Sequence, residues 1–453
     1  MALSSTPAPA RLDQPTRKGG RRAWAIVIFV ALFGMMSYID RQALAVVVSD
    51  LRLDLGISDV QMGWLMGPAF FVVFNLALVP AAWAADRWNR KRIIVFGVVT
   101  WSLLTMGSGL AQSYEQLLLL RCGVALGEAM LAPAALSLIA GMFERYERPL
   151  PTATYVVGCT IGASGSALFT AAVMDAAVGL NLTVPYVGGE APWRLALLGV
   201  GLPGLILVTA FVLVAWEPVR KQDHEQDRTA PAIGNPSASF LRENLLLYLF
   251  GFVSLCLFLM NMSSVALWGP SFLVRTFEVT QVQSGYMIGV SSLIGGVAGS
   301  LLLPALIRHF VQQRRTNAMS NLVLGTMIVA ATCAVAAGFA QSLWLAVLCI
   351  FGFMFFAGGA ATMPTLMVQL YAPQQLTGRL SAVALFILYF LSYGLAPVLV
   401  PMVADSWETA SPAALGYAIA SVALGSSLIA LPLFAVTRPM FRSAEAALSK
   451  RGE

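Results

Sequence analysis

Four charged residues sit where charge is costly. Asp40 and Arg41 lie within one long apolar run, and Arg121 and Glu128 within another. Near the centre of a bilayer each would cost at least ~2.5 kcal/mol, so such groups face one another or an aqueous path. Two acids and two arginines sum to zero charge, and a neutral cluster offsets the cost of burial. The chemistry open to this set is proton carriage. A carboxyl in low dielectric is pushed towards its neutral form, and a nearby guanidinium pushes it back. Moving one helix by a few ångströms changes which effect wins. The two histidines, His224 and His309, both lie in polar connections. That leaves Asp40 and Glu128 as proton carriers, with Arg41 and Arg121 as their partners. The competing reading is a structural ion-pair network that only fixes the two helices.

Spacing sets the depths of these groups. At 1.5 Å per residue, Asp40 lies ~12 Å from the end of its run at Val48, and Arg121 lies ~10 Å from Tyr114 at the start of its own. Both ends belong to one face of the membrane, so Asp40 and Arg121 share a layer. Glu128 follows seven residues after Arg121, two turns deeper on the same helix face.

The elements that hold these residues follow from composition. The chain has 453 residues, 58% hydrophobic and 11% charged, with mean hydropathy +0.77. An ordinary soluble domain is about 25% charged, and a soluble globule cannot hide this much apolar surface. A soluble enzyme, a disordered chain and a disulfide scaffold are excluded. Long unbroken apolar runs exclude an outer-membrane barrel, whose strands alternate. The expected fold is an all-α polytopic membrane protein. Twelve runs approach or exceed the ~20 residues needed to span. They are Trp24–Val48, Val60–Ala84, Ile93–Ala111, Tyr114–Met142, Thr152–Asp175, Trp193–Trp216, Asn244–Val274, Val282–Ile307, Asn317–Ala340, Ser342–Leu370, Leu376–Ala404 and Ala413–Val436.

Charge gives the orientation. Of 28 Lys and Arg, 23 fall in segments on one side if the N-terminus is cytoplasmic, and only Arg52, Arg194 and Arg275 fall on the other. This positive-inside split places both termini in the cytoplasm and explains the net charge of +6 without a nucleic-acid partner. Residues 1–23 read as a disordered tail with no cleavable signal peptide. Residues 24–216 and 244–437 form two six-helix bundles, 217–243 a Pro-containing cytoplasmic linker, and 438–453 a second tail. The halves share patterns: Val60-Gln61-Met62-Gly63 and Val282-Gln283-Ser284-Gly285 lie 222 residues apart, and Gly127-Glu128 and Gly358-Gly359 lie 231 apart. Parallel six-helix repeats are what secondary transporters build around a midplane cavity.

A short loop carries Asp86-Arg87-Trp88-Asn89-Arg90-Lys91-Arg92. Here the chain resembles the major facilitator superfamily, whose signature in this loop is Gly-x-x-x-Asp-Arg-x-x-Arg followed by Arg or Lys; Ala82 replaces the leading glycine. A carboxylate is favoured at a helix N-terminus, so Asp86 is a candidate cytoplasmic latch against the span that begins near Pro373–Thr377, with Arg90 as its partner. The alternative is that the loop only sets topology. Arg308 replaces the acid in the second half. Tyr38-Ile39-Asp40-Arg41-Gln42 and the Arg121-to-Glu128 segment resemble the spinster-like branch. That branch includes eukaryotic sphingolipid and lysophospholipid transporters and proton-coupled bacterial relatives. The resemblance implies a protonation switch at Asp40 and Glu128, with Arg41 and Arg121 as charge partners, and a multi-pass protein of a bacterial inner membrane.

Spans 7–12 hold no deep charge, which predicts a cavity charged on one wall and apolar on the other. That suits an amphiphilic or lipid-like small molecule better than a sugar, whose hydroxyls would go unsatisfied. Candidate lining residues are Asn75, Asn261, Gln369, Tyr389 and Tyr393; Asn75 and Asn261 serve equally as packing glue. Gly158, Gly162 and Gly165 keep a small-xxx-small spacing, and Pro133, Pro364, Pro397 and Pro401 are candidate kinks. The five scattered cysteines suggest no disulfide or metal site, and without a Gly-x4-Gly-Lys-Ser/Thr run ATP is not the energy source. The expected partners are protons, membrane lipid and the cargo, with no cofactor and no required oligomer. The rivals are a transporter of small organic anions or drugs, with Arg41 or Arg121 holding a carboxylate, and, further off, a channel or a membrane enzyme.

Overall fold

The computed structural model describes residues 20–144, 146–180, 191–218, 236–312, 318–361, 363, 387, 389–407 and 411–451. Among them every regular element is helical: α1 Arg21–Leu55, α2 Asp59–Met66, α3 Pro68–Arg87, α4 Arg90–Ser108, α5 Tyr114–Ala129, α6 Leu131–Met142, α7 Pro149–Gly179, α8 Pro192–Val214, α9 Pro236–Phe277, α10 Gln281–Val290, a π-helical turn Ser291–Gly296, α11 Val297–Gln312, α12 Ala318–Gly338, α13 Leu343–Ala361, a second π-helical turn Tyr389–Leu395, α14 Ala396–Ala404 and α15 Ala414–Arg451. Ten continuous helical stretches are long and apolar enough to cross a bilayer. With α4 and the Phe390–Ala404 stretch they account for twelve spans.

Several elements depart from the expected boundaries for identifiable reasons. The second span breaks between α2 and α3 because Pro68 lacks an N–H and disfavours the helical region for the residue before it; Gly67 sits at φ −111, ψ −98. The fourth breaks at Met130, where Pro133 cannot bond back to Ala129. Helix α9 starts at Pro236, inside the stretch read as linker, and α15 runs through to Arg451, past the expected end of the last bundle.

The repeat shows itself in the helix starts. Ser58 and Gln61 form a capping box at α2, and Thr280 and Gln283 form the same box at α10. Such reciprocal bonds satisfy two orphan amides and fix where a helix begins. Each box is followed by glycines that let the other bundle approach. Gly63 lies against the Pro397–Val398 backbone and Gly67 against Gly394, while Gly285 meets Ala171 and Val46, and Gly289 meets Leu168. The seam is therefore tight from the Asp59 end to mid-depth. One apolar core crosses the seam there, running from Val47, Leu51 and Met62 to Leu267, Trp268 and Val400. A separate core, around Phe33, Trp101 and Leu138, draws its buried residues from the first bundle, with Tyr393 of the second packed against it.

The three spaced glycines of α7 do different jobs. Gly158 and Gly162 face the α1 backbone at Ala31 and Met35, whereas the nearest atom to a Cβ on Gly165 is Leu293 of the other bundle, 3.8 Å away. A branched side chain at Gly162 must push two helix backbones apart, and overpacking of this kind costs ~1–3 kcal/mol. Gly162→Val is therefore expected to lower the thermal midpoint of the purified protein by several degrees, and Gly165→Ala to leave it unchanged. Equal midpoints for both variants would contradict the assigned packing.

Candidate functional site

Helical periodicity on α1 sorts its residues into two stripes. Ser37, Asp40 and Arg41 (positions i, i+3 and i+4) turn to partners in the rest of the first bundle. Tyr38, Arg41 and Gln42 border a narrow cleft between the bundles, with about 10 Å3 of room, together with Met66, Phe71, Leu267 and Tyr393. Arg41 belongs to both stripes.

The four intramembrane charges form one cluster. Arg41 donates to Glu128 Oε2 through Nη2 (2.7 Å) and Nε (3.2 Å), and Ser37 donates to the same oxygen at 2.7 Å. Arg121 lies 3.6 Å from Asp40 Oδ1, and Thr105 donates to Asp40 Oδ2. The Arg121 guanidinium also donates to the main-chain carbonyls of Asp40 and Arg41, which ties both pairs together and holds α1 against α5. All four residues are at most 7% exposed. Glu128 keeps its second oxygen, Oε1, buried without a hydrogen-bond donor.

Aromatic rings complete the site. Pro68 at the first position of α3 aims Phe70, Phe71 and Phe74 at α1. The Arg41 guanidinium carbon lies 4.6 Å from the Tyr38 ring centre, 5.0 Å from Phe70, 5.8 Å from Phe71 and 4.7 Å from Phe74. Phe70 also stacks under Arg121, at 4.7 Å. Such contacts contribute about 0.5–2 kcal/mol each when desolvated. Sequence reasoning missed these rings, because a phenylalanine stripe in an apolar run reads as ordinary core. Ser37 and Thr105 were missed for a similar reason: nothing marks a small hydroxyl as a carboxylate donor until its helix is placed.

Other candidates fall elsewhere. Asn75 returns its amide to the Phe71 carbonyl of its own helix, at 2.8 Å. Asn261 spends its amide between helices, donating to Ser427 at 3.2 Å and accepting from Ser426 at 2.7 Å. Both are packing groups in this structure, and Tyr393 lines the cleft, its ring 5.6 Å from Phe71. Gln369 and the Tyr389 side chain lie outside the described residues, as do Pro364 and the Pro373–Thr377 segment proposed to receive Asp86. Asp86 is exposed, and the expected pairing with Arg90 is not formed. Arg90 opens α4 pointing inwards, is buried, and lies 4.0 Å from Glu217, whose other oxygen accepts the Lys91 N–H at 3.0 Å. The turn at Asn89 carries Arg90 to the far side of its helix from Asp86.

A second charged site closes the opposite end. Asp59, the first residue of α2, accepts two hydrogen bonds from Arg275 of α9, both at 2.7 Å, and two from Arg52 of α1, at 3.0 and 2.9 Å. Arg275 thus clasps one bundle to the other, while the Arg52 contact stays within the first bundle. Arg194 and Trp193 similarly hold Asp54. In a cysteine-depleted background, Arg275→Gln is expected to raise the labelling rate of a cysteine placed at Met62, fully buried in the core that crosses the seam, several-fold, and Arg52→Gln to change it much less. Identical labelling in the two variants would contradict the clasp.

The comparisons agree with this architecture. The Major Facilitator Superfamily model matches residues 30–397. An MFS-type efflux pump of Mycolicibacterium smegmatis is 28% identical over 414 residues, covering 89% of this chain and 90% of the relative. A D-galactonate transporter of Escherichia coli is 22% identical over 416 residues, covering 85% and 89%. Protein spinster homolog 1 of Xenopus tropicalis is 29% identical over 271 residues, which is 57% of this chain and only 47% of that protein. Among solved structures, a bacterial homologue of the human lysosomal transporter Spinster, in an inward-facing, unoccupied conformation, superposes with a TM-score of 0.72 at 22% identity, covering 95% of this chain and 98% of that one. This is an integral, multi-pass membrane protein with a transporter fold, and its bacterial relatives fit a place in the inner membrane. With the family model covering most of its length and the twelve-span, two-bundle fold around it, the chain belongs to the major facilitator superfamily.

Proposed function

We propose that the protein is a proton-coupled transporter of an amphiphilic small molecule, working by alternating access. The observation that carries this reading is the double position of Arg41, which pairs with Glu128 on one side and borders the inter-bundle cleft on the other. An anionic headgroup entering the cleft competes with Glu128 for that guanidinium. A buried carboxylate that loses its cation is strongly destabilised, and Oε1 already has no donor. Glu128 then takes a proton, so binding of cargo and uptake of a proton are linked. Asp40, held by Arg121 and Thr105 within the same cluster, is the second proton carrier. Arg121 acts through α1, as a positioning residue.

The apolar part of the cargo finds Met66, Phe71, Leu267 and Tyr393. Most of the Lys and Arg lie at the Asp86 end, which the positive-inside rule assigns to the cytoplasm. The clasped Asp59 end then faces outward, and the cleft is reached from inside. A second reading, transport of a small organic anion, is favoured by the same arginine and by the full-length likeness to a D-galactonate transporter. The two differ in what fills the apolar wall.

In proteoliposomes with an imposed pH gradient, wild type is expected to move a lysophospholipid probe, and Asp40→Asn or Glu128→Gln to reduce the gradient-driven rate at least tenfold while leaving exchange at equal pH largely intact. Gradient-driven transport at the wild-type rate in both variants removes the coupling. Competition separates the cargo classes: inhibition by D-galactonate and none by lysophospholipid replaces the amphiphile with an organic anion.

A further inference from the structure

A second concavity lies on the outer side of the first bundle, at the Asp86 end. It is an open groove of about 1100 Å3, counting the space at its mouth, lined by Asn89, Lys91, Arg92, Val95, Phe96, Val99, Val212 and Glu217. On α4 the lining residues Arg92, Val95, Phe96 and Val99 fall at i, i+3, i+4 and i+7, a single helix stripe. Charge is at the top of the stripe and hydrocarbon below it. At 1.5 Å per residue, Phe96 lies ~6 Å and Val99 ~10 Å deeper than Arg92.

The charges at the mouth are arranged for an anion. The acid of the groove, Glu217, is turned inwards to the Lys91 N–H and towards buried Arg90. Lys91 caps the end of the neighbouring helix, its Nζ donating to the carbonyls of Val212 (2.9 Å) and Ala215 (2.6 Å), which fixes the ammonium at the rim. The Arg92 guanidinium is exposed and has no partner among the described residues. A separate observation sets the groove's depth in the bilayer. Trp83, Trp88 and Trp216 are 49%, 62% and 39% exposed around the same end, and exposed tryptophans gather at the membrane–water interface. The mouth thus lies at headgroup level and the apolar floor among acyl chains, with Phe96 60% and Val212 44% exposed.

We propose that this groove holds one anionic glycerophospholipid of the surrounding leaflet, its phosphate on Arg92 and Lys91 and one acyl chain along Val95, Phe96, Val99 and Val212. Two features single out a lipid: the anion site continues into an apolar trough, and the surrounding solvent is itself lipid. The basic end of a membrane protein also faces the leaflet that is richer in anionic lipid. A lipid seated here would join the start of α4 to the end of α8 and so stiffen the first bundle.

Native mass spectrometry of the intact protein in mild detergent tests this with phosphatidylglycerol, phosphatidylcholine and inorganic phosphate as probes. Wild type is expected to retain one phosphatidylglycerol several-fold more than phosphatidylcholine. Arg92→Gln, at an exposed position, should reduce that preference about three- to tenfold, and Val99→Trp should reduce it by filling the trough. Arg438→Gln, in the second bundle, should leave it unchanged. Equal retention of the two lipids by wild type would overturn the proposal, and so would wild-type retention in both groove variants. Displacement of the lipid by phosphate alone would overturn it in favour of a free-anion site.

Discussion

A guanidinium and a carboxylate buried in a membrane protein are tolerable only when each satisfies the other, because neither water nor hydrocarbon is there to do so. The pairing of Arg41 with Glu128 and of Arg121 with Asp40 is the constraint around which the first bundle is arranged. It fixes the rotation of α1 against α5. The three phenylalanines at the start of α3 fit this arrangement, since flat apolar rings shield the guanidiniums from water while still attracting them. Weakening one contact changes the demands on all the others. That property suits a switch, whose two states must lie within a few kcal/mol of each other.

The two ends of the molecule use different physics. At the Asp59 end the bundles are held by glycine-mediated backbone contact and by a bidentate arginine–carboxylate clasp. Close packing is stiff and short-ranged, and a partly exposed ion pair is modest in energy. Together they close the seam firmly but leave it separable. The π-helical turns Ser291–Gly296 and Tyr389–Leu395 lie along this seam, where Leu293 approaches Gly165 and Tyr393 packs on Phe71. Such turns commonly mark functional positions in helices, and both belong to the second bundle, which carries no deep charge among its described residues. The charged half holds the chemistry and the apolar half supplies local irregularity.

Much of this was legible in the sequence, and the exceptions have physical causes. The spans follow from apolar run length, and the shared layer of Asp40 and Arg121 follows from the helical rise. The repeat at Gln61 and Gln283 proves to be a pair of capping boxes. That Arg41 reaches Glu128 was not legible, because depth places Glu128 two turns below the layer of Asp40 and only the length and direction of the Arg41 side chain close the gap. The Asp59–Arg275 clasp joins residues 216 positions apart, and no local pattern announces such a contact. Asn261 reads in the sequence as either a lining or a packing group, and only the placement of Ser426 and Ser427 opposite it decides for packing. The partner of Arg90 was not legible because a short charged loop offers Asp86 nearby, whereas the helix that opens at Arg90 turns its side chain inwards to Glu217, 126 positions along the chain from Lys91.

The central claim is that cargo displaces Glu128 from Arg41 and so drives Glu128 to take a proton, and proton movement driven by cargo tests it most directly. With the protein in vesicles loaded with a pH-sensitive dye and no initial pH gradient, an imposed gradient of a transported lysophospholipid or of D-galactonate should change the internal pH in proportion to the cargo moved. Transport of either probe with no accompanying pH change would contradict the account.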